Sequence, residues 1–352
     1  MNKPPIKRTF LHKQWNIRTR WCSFCLTPRL VGVLMLAVLV TLVVMGLSLS
    51  FGTQHIGIRQ VASSLAYPDD RDSFVVQTLR LPRMLLAAMV GAALGGSGLV
   101  LQSMIRNPLA SPDIIGITSG ASAAAVGFLA FFQSLLGLAW LPVFAIAGAL
   151  LASLLIYLLA WRNGVTPMRL VLVGIGVSAV MGAVVTLLIA TSSESTSLTA
   201  YIWLTGSVYG ANWRDVQSLL PWVVVSFALS VFFSRRINAL ELGDHTAVGL
   251  GVPLQWTRVS MLILSVVMAA PAIAYAGAIS FVGLIAPHIA RRFVDRNFTV
   301  LLPLTAAIGA CLVMLADIGG RLLFQPLDIP AGVFVSAIGA PFFIYLLYRQ
   351  RF

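Results

Sequence analysis

Ten stretches of membrane-spanning length, each dominated by apolar residues, run through this chain of 352 residues and leave it few folds to choose from. A helix needs about 20 predominantly apolar residues to cross a bilayer, and backbone groups exposed to lipid must be satisfied within the segment, so an all-α bundle is predicted. The expected spans are 30–51, 84–105, 114–136, 140–160, 168–190, 216–233, 257–277, 278–291, 300–318 and 330–348. The eighth is short and meets the seventh near Gly277. Only 10% of the residues are charged, against roughly 25% in soluble domains. Lysine disappears after Lys13, whereas the phosphate-cradling loop of transport ATPases needs a lysine behind its glycine run. The chain is therefore expected not to be an enzyme: energy for uphill movement would come from another chain or from an ion gradient.

The formal charge of +13 sits mostly at the ends of the apolar segments, the pattern of orientation signals rather than of a nucleic-acid footprint. Residues 1–29 carry seven basic residues and no acid, then an apolar run follows that is longer than the roughly 7–15 residues of a signal peptide. A basic cytoplasmic N-terminal segment and a retained first helix are predicted, followed by one ten-helix domain over 30–352. With the N-terminus inside, the inner side collects that segment plus Arg106, Arg162, Arg169, Arg235, Arg236, Arg258, Arg291, Arg292, Arg296, Arg349 and Arg351. The outer side keeps Arg59, Arg71, Arg80, Arg83, Arg214 and Arg321. This split supports both termini on the cytoplasmic side of a bacterial inner membrane. Cys22 and Cys25 form a lone CxxC before the first span, with no second pair to complete a zinc site; Cys311 lies within an apolar segment. His288 and the methionines read as core, and no metal site or cofactor is expected on this chain.

Small residues recur four apart at Gly91 and Gly95, Gly116 and Gly120, and Gly148 and Ala152, a spacing that lets helix backbones approach closely in lipid. Irregular backbone at membrane depth survives only where protein or a cavity covers it. That points to the lead-in of the third span from Asn107 and Pro108 to Gly120, to Gly174 and Gly176 in the fifth, and to the polar stretch 191–210 as candidates for a path. The 240–252 loop mixes Leu240, Leu242, Ala247, Val248 and Leu250 with Glu241, Asp244 and His245. A short helix there, stopped by a glycine at Gly249 or Gly251, would lie along the membrane surface, as a connector or as an insert for a partner's groove. Arg80 and Arg83 share a face by helical spacing, and Asp317 stands four residues before Arg321. These arginines suit either receipt of a partner's carboxylates or internal pairing.

Five segments, taken in order, resemble the iron-siderophore and vitamin B12 class of ABC-importer permeases. They are RLPR (80–83), GAALGGSGLVLQSMIRNPLASPDIIGITSGA (91–121), LELGDHTAVGLGV (240–252), GAISFVGLIAPHIARR (277–292) and ADIGGRLLFQPLDIPAGVFVSAIGAPFF (316–343). Details such as QSMIRNPLASPD look like the ferric-catecholate permeases in particular. The resemblance implies the type II importer fold of ten transmembrane helices. It implies a coupling loop over about 235–256 that docks on an ATPase through Leu240, Glu241, Leu242, Gly243, Asp244, Ala247, Gly249 and Gly251. It also implies docking of a periplasmic or lipid-anchored binding protein on Arg80, Arg83 and Arg321, and a path bordered by the fifth span and the helix after it, with Gly164 in an inner-gate connector from Trp161 to Pro167. The implied partners are two ATPase subunits and a second permease, a paralogue in preference to a copy. The implied cargo is a ferric siderophore, catecholate by preference, with vitamin B12, haem and other siderophores sharing these motifs. An ion-coupled secondary transporter fits poorly, because the one acid inside a predicted span is Asp317, near its outer end.

Overall fold

The computed structural model describes residues 15–18, 23–26, 28–52, 54–67, 72–294 and 297–349. Cys22, Arg71, Arg296, Arg351 and most of the basic N-terminal segment lie outside that set. Two short antiparallel strands, β1 (Trp15–Arg18) and β2 (Ser23–Leu26), precede the helices. Every predicted span contains a helix. These are α1 (Pro28–Ser50), α3 (Phe74–Ile105), α4 (Ile117–Phe131), α6 (Leu141–Ala160), α7 (Pro167–Thr191), α9 (Trp213–Glu241), α11 (Leu254–Ala276), α12 (Val282–Phe293), α13 (Phe298–Leu322) and α14 (Ala331–Arg349). Between them stand α2 (Ile58–Ala66), the one-turn α5 (Gln133–Leu136), α8 (Glu194–Thr205) and α10 (Asp244–Gly249).

Among the described residues eight helices are long and apolar enough to cross a membrane; α4 and α12 are not. At about 1.5 Å per residue the 12 residues of α12 reach only about 18 Å, roughly half a bilayer. Boundaries shift elsewhere too. The second span begins ten residues earlier than predicted, with a wider first turn over Phe74–Arg80, so the RLPR run lies inside the helix instead of at its mouth. The sixth span runs on to Glu241, which places Leu240 and Glu241 on a helix end rather than in a loop. α8 was expected only as a polar stretch, and an apolar count misses it because Ser and Thr supply half its first turns; Ser193 caps it by accepting from the Thr196 N–H.

Position in the bundle follows side-chain size. Through its most apolar stretch α3 is 78% buried, against 11% for α1 and α7. Its glycines explain this: a Cβ on Gly91 would run into the Gly309 carbonyl of α13, and one on Gly98 into the Gly283 carbonyl of α12. Backbone touches backbone at both crossings, which is how helices associate tightly where lipid gives no hydrophobic drive. Helix ends are set locally. Asn212 accepts from the Arg214 and Asp215 N–H groups while Asp215 accepts from the Asn212 N–H, closing a capping box on α9. Pro167 starts α7 at a position where a missing N–H costs nothing.

Candidate functional site

The inner end, expected to face the cytoplasm, gathers the segments predicted to couple and to gate. α9 stops because Gly243 takes φ +109, a conformation side chains resist, and α10 then turns across the bundle end. Leu240 and Ala247, both expected to dock, are buried, Ala247 completely, and offer a partner no exposed surface. Leu242, Val248 and Leu250 are the exposed apolar residues of this element, and Trp256 stands exposed just beyond it. Gly249 ends α10 in open space and Gly251 makes the left-handed turn, φ +78. Glu241 and Asp244 are also turned inward. Glu241 accepts from the Ser103 hydroxyl at 2.6 Å, and Asp244 bridges Arg106 at 3.1 Å and Arg258 at 2.7 Å. The acids therefore fasten the loop to the bundle, and its apolar residues are left to face out. A cleft of about 800 Å³ opens beside it, lined by Gln102, Arg106, Pro108, Asn238, Glu241 and Arg291 among others. Arg291 donates to the Gln102 side-chain carbonyl, tying α12 to α3 across that cleft.

The expected path residues separate into three groups. Asn107 and Pro108 lie at the inner end, where the Asn107 side chain accepts from the Leu109 N–H at 2.9 Å and makes the turn that leaves α3. Gly164, at φ +116, sits in the 161–166 connector against the Gln255 amide. Gly120 is a packing residue: its missing Cβ makes room for Gly148 and Ala152 of α6. Gly174 likewise packs on the backbone of Ile114 and Ile115, while Gly176, two residues on, is exposed with no neighbour. α7 thus has one face closed on the lead-in to α4 and one face open.

Sequence reasoning missed Asp113, which lay one residue outside a predicted span. Its Oδ1 accepts from the Thr118 hydroxyl at 2.7 Å in the first turn of α4, and its Oδ2 accepts from the Phe281 N–H at 3.4 Å, just before α12 begins. Burial pushes this carboxyl up, while those two hydrogen bonds pull it down. One carboxylate therefore ties the starts of the two shorter helices, α4 and α12, together, and favourable helix dipoles converge on it. An acid followed by Gly116 and a hydroxyl five residues on was the available signal. Phe281 itself takes φ +67 to make the break.

At the outer end the three arginines do not stand as free forks. Arg80 is 6% exposed and donates to the carbonyls of Leu49, Ser50 and Gln54, closing the C-terminus of α1. Burial pulls its donors to the carbonyls that α1 leaves unpaired, so it shares no solvent face with Arg83. Arg83 grips Asp317 at 2.7 Å and Asp328 at 2.7 Å, with the Tyr209 ring 5.4 Å from its guanidinium. Arg321 lies 3.2 Å from Asp317 and donates to Ser48 and to the Phe51 carbonyl. All three are thus engaged within the chain: Arg80 by carbonyls at the end of α1, Arg83 by Asp317 and Asp328, and Arg321 by Asp317. Among the outer arginines, Arg59 and Arg214 are exposed.

The comparisons agree with this layout. The FecCD transport family profile matches residues 39–349. The achromobactin transport system permease protein of Dickeya dadantii (strain 3937) is 52% identical over 322 residues, which is 91% of this chain and 92% of that protein. The ferric enterobactin transport system permease protein of Escherichia coli (strain K12) is 41% identical, over 79% of this chain and 83% of its own length. A solved metal-chelate type ABC transporter in an inward-facing conformation superimposes with a TM-score of 0.81 at 32% identity, covering 91% of this chain and 99% of that one. This chain, a bundle of membrane-spanning helices with a short fastened helix at one end and matched over nearly its whole length, is thus a member of the FecCD transport family.

Proposed function

We propose that this chain is the membrane-spanning permease subunit of an importer that carries a ferric siderophore across the bacterial inner membrane, powered by ATP hydrolysed on separate subunits. The observation that carries the reading is α10: a short helix pinned by Asp244 and Glu241, with Leu242, Val248 and Leu250 left uncovered at the end of the molecule. Exposed apolar residues on a charge-fastened element suit insertion into a groove of a soluble partner. Two ATPase subunits would be seated in this way, one per permease. The open face of α7, with Leu172, Ile175, Val180 and Leu187 exposed, would border the path against the second permease, a paralogue or a copy. Both termini would be cytoplasmic, as the arginine distribution favours.

Cargo and docking follow from the same chemistry. A siderophore brings its own oxygen donors to the iron, so the chain need supply no ligand to the metal. The relatives' names favour an achromobactin-like chelate over a catecholate, given 52% against 41% identity. A periplasmic or lipid-anchored binding protein would meet the outer end at Arg59, Arg214 and the partly exposed Arg83–Asp328 pair, since Arg80 and Arg321 are spent internally. The test is complementation: the chain with its neighbouring transporter subunits is expressed in a bacterium lacking siderophore permeases, and radio-iron uptake is measured from ferric achromobactin and ferric enterobactin. Uptake of at least one chelate that stops without the ATPase supports the reading; no uptake of either, with subunits present in the membrane, contradicts it.

A further inference from the structure

Asp244, the acid expected at the docking surface, reaches the two segments that the sequence marks as gate. Its Oδ1 pairs with Arg106 Nη2 at 3.1 Å, and its Oδ2 accepts from Arg258 Nη2 at 2.7 Å. Arg106 is the left-handed C-cap of α3, φ 57, and leads directly into the 107–116 segment. Arg258 uses its other terminal nitrogen to donate to the Val165 carbonyl at 2.8 Å, in the 161–166 connector. Gln255, three residues earlier on the same face of α11, accepts from the Val165 N–H at 3.0 Å. Both backbone groups of one buried connector residue are therefore held by the first turn of α11. Gly164 must be glycine for this grip, because a Cβ there would meet the Gln255 amide.

We propose that Asp244 is the positioning residue through which movement of the docking helix reaches both gate segments, one branch through Arg106 to 107–116 and the other through Arg258 to Val165. This rests on the reading of α10 as the ATPase-docking element. Two features make the Arg258 branch stiff. Its 2.7 Å hydrogen bond joins two ionised groups, and such bonds are about twice as strong as neutral ones. The Arg258 side chain is only 7% exposed and has no water to turn to if Asp244 leaves, so the pair moves together or not at all. A planar guanidinium can hold Val165 and Asp244 simultaneously, which a lysine ammonium, a single point, cannot reproduce.

The experiment uses the assembled permease–ATPase complex in nanodiscs, with native cysteines replaced and single spin labels on His245→Cys in α10, Asn107→Cys and Asn163→Cys, all exposed positions. In the parent, ATP binding should change the spectrum at all three. Asp244→Asn should keep the response at 245 and lose it at 107 and 163, with substrate moved per ATP falling about fivefold or more, the lower range of a site–site coupling energy; Asp244→Glu should restore part of it. Arg258→Lys, which leaves the Asp244–Arg106 branch intact, should silence 163 and spare 107, and it decides the matter if Asp244→Asn fails to assemble. Parent-like responses at 163 in both variants would overturn the fork. No response at 245 in the parent complex would sink the docking reading itself, and the fork with it.

Discussion

Asp317 is the residue on which the outer end depends most. It is almost wholly buried between Arg83 and Arg321, and among the described residues those two cations are what offsets its desolvation. Removing one partner of such a group leaves uncompensated buried charge, so Asp317→Asn should cost about 3–5 kcal/mol. Asp328 holds the same Arg83 but is 27% exposed, and its loss should cost about 1 kcal/mol or less. Thermal unfolding of the two variants in detergent checks the order; equal melting temperatures would contradict it. The Asp317–Arg321 pair was legible from four-residue spacing alone. The Arg83 contacts were not, because they join positions more than 230 residues apart, and Arg80 read as a surface cation because nothing in the sequence says where the C-terminus of α1 will lie.

At the level of elements, glycine positions carry two kinds of meaning that sequence spacing cannot separate. Gly98 packs directly on the Gly283 backbone, whereas Gly176 faces open space on α7. Gly98→Ala should therefore overpack the α3–α12 crossing by about 1–3 kcal/mol and lower the yield of folded protein, while Gly176→Ala should change stability by less than about 0.5 kcal/mol. Detergent unfolding midpoints decide it, and a tolerated Gly98→Ala would show that α12 can slide. The docking helix offers a parallel contrast. Val248→Asp and Leu250→Asp should leave the permease folded and abolish co-purification of its ATPase, since both side chains are exposed. Ala247→Asp should damage the permease itself, because that Cβ is fully enclosed. Retained co-purification in the Val248 and Leu250 variants would remove α10 from the interface. The helices were legible because ten apolar runs have one solution in lipid; their ends were not, since wide turns, half-length helices and caps depend on neighbours that apolar counts ignore.

For the whole molecule, the architecture and family were carried by long apolar runs and by glycine-rich segments whose spacing survives in the fold, from α3 at the centre to α10 at the inner end. What the sequence left open was which polar residues meet: Asp113, Asp244, Arg106 and Arg258 acquire their roles only when segments far apart in the chain come together. The proposal that ATP hydrolysed on separate subunits powers this permease is the claim most open to test, and the lack of lysine after Lys13 is what first suggests it. The direct measurement is radio-iron accumulation in liposomes holding the purified permease, with binding protein outside, under three conditions: an imposed proton or sodium gradient without ATPase, ATPase subunits with internal ATP, and the same with a non-hydrolysable analogue. The account predicts accumulation of ferric siderophore only with ATPase and hydrolysable ATP. Accumulation under an ion gradient in the absence of ATPase would contradict it.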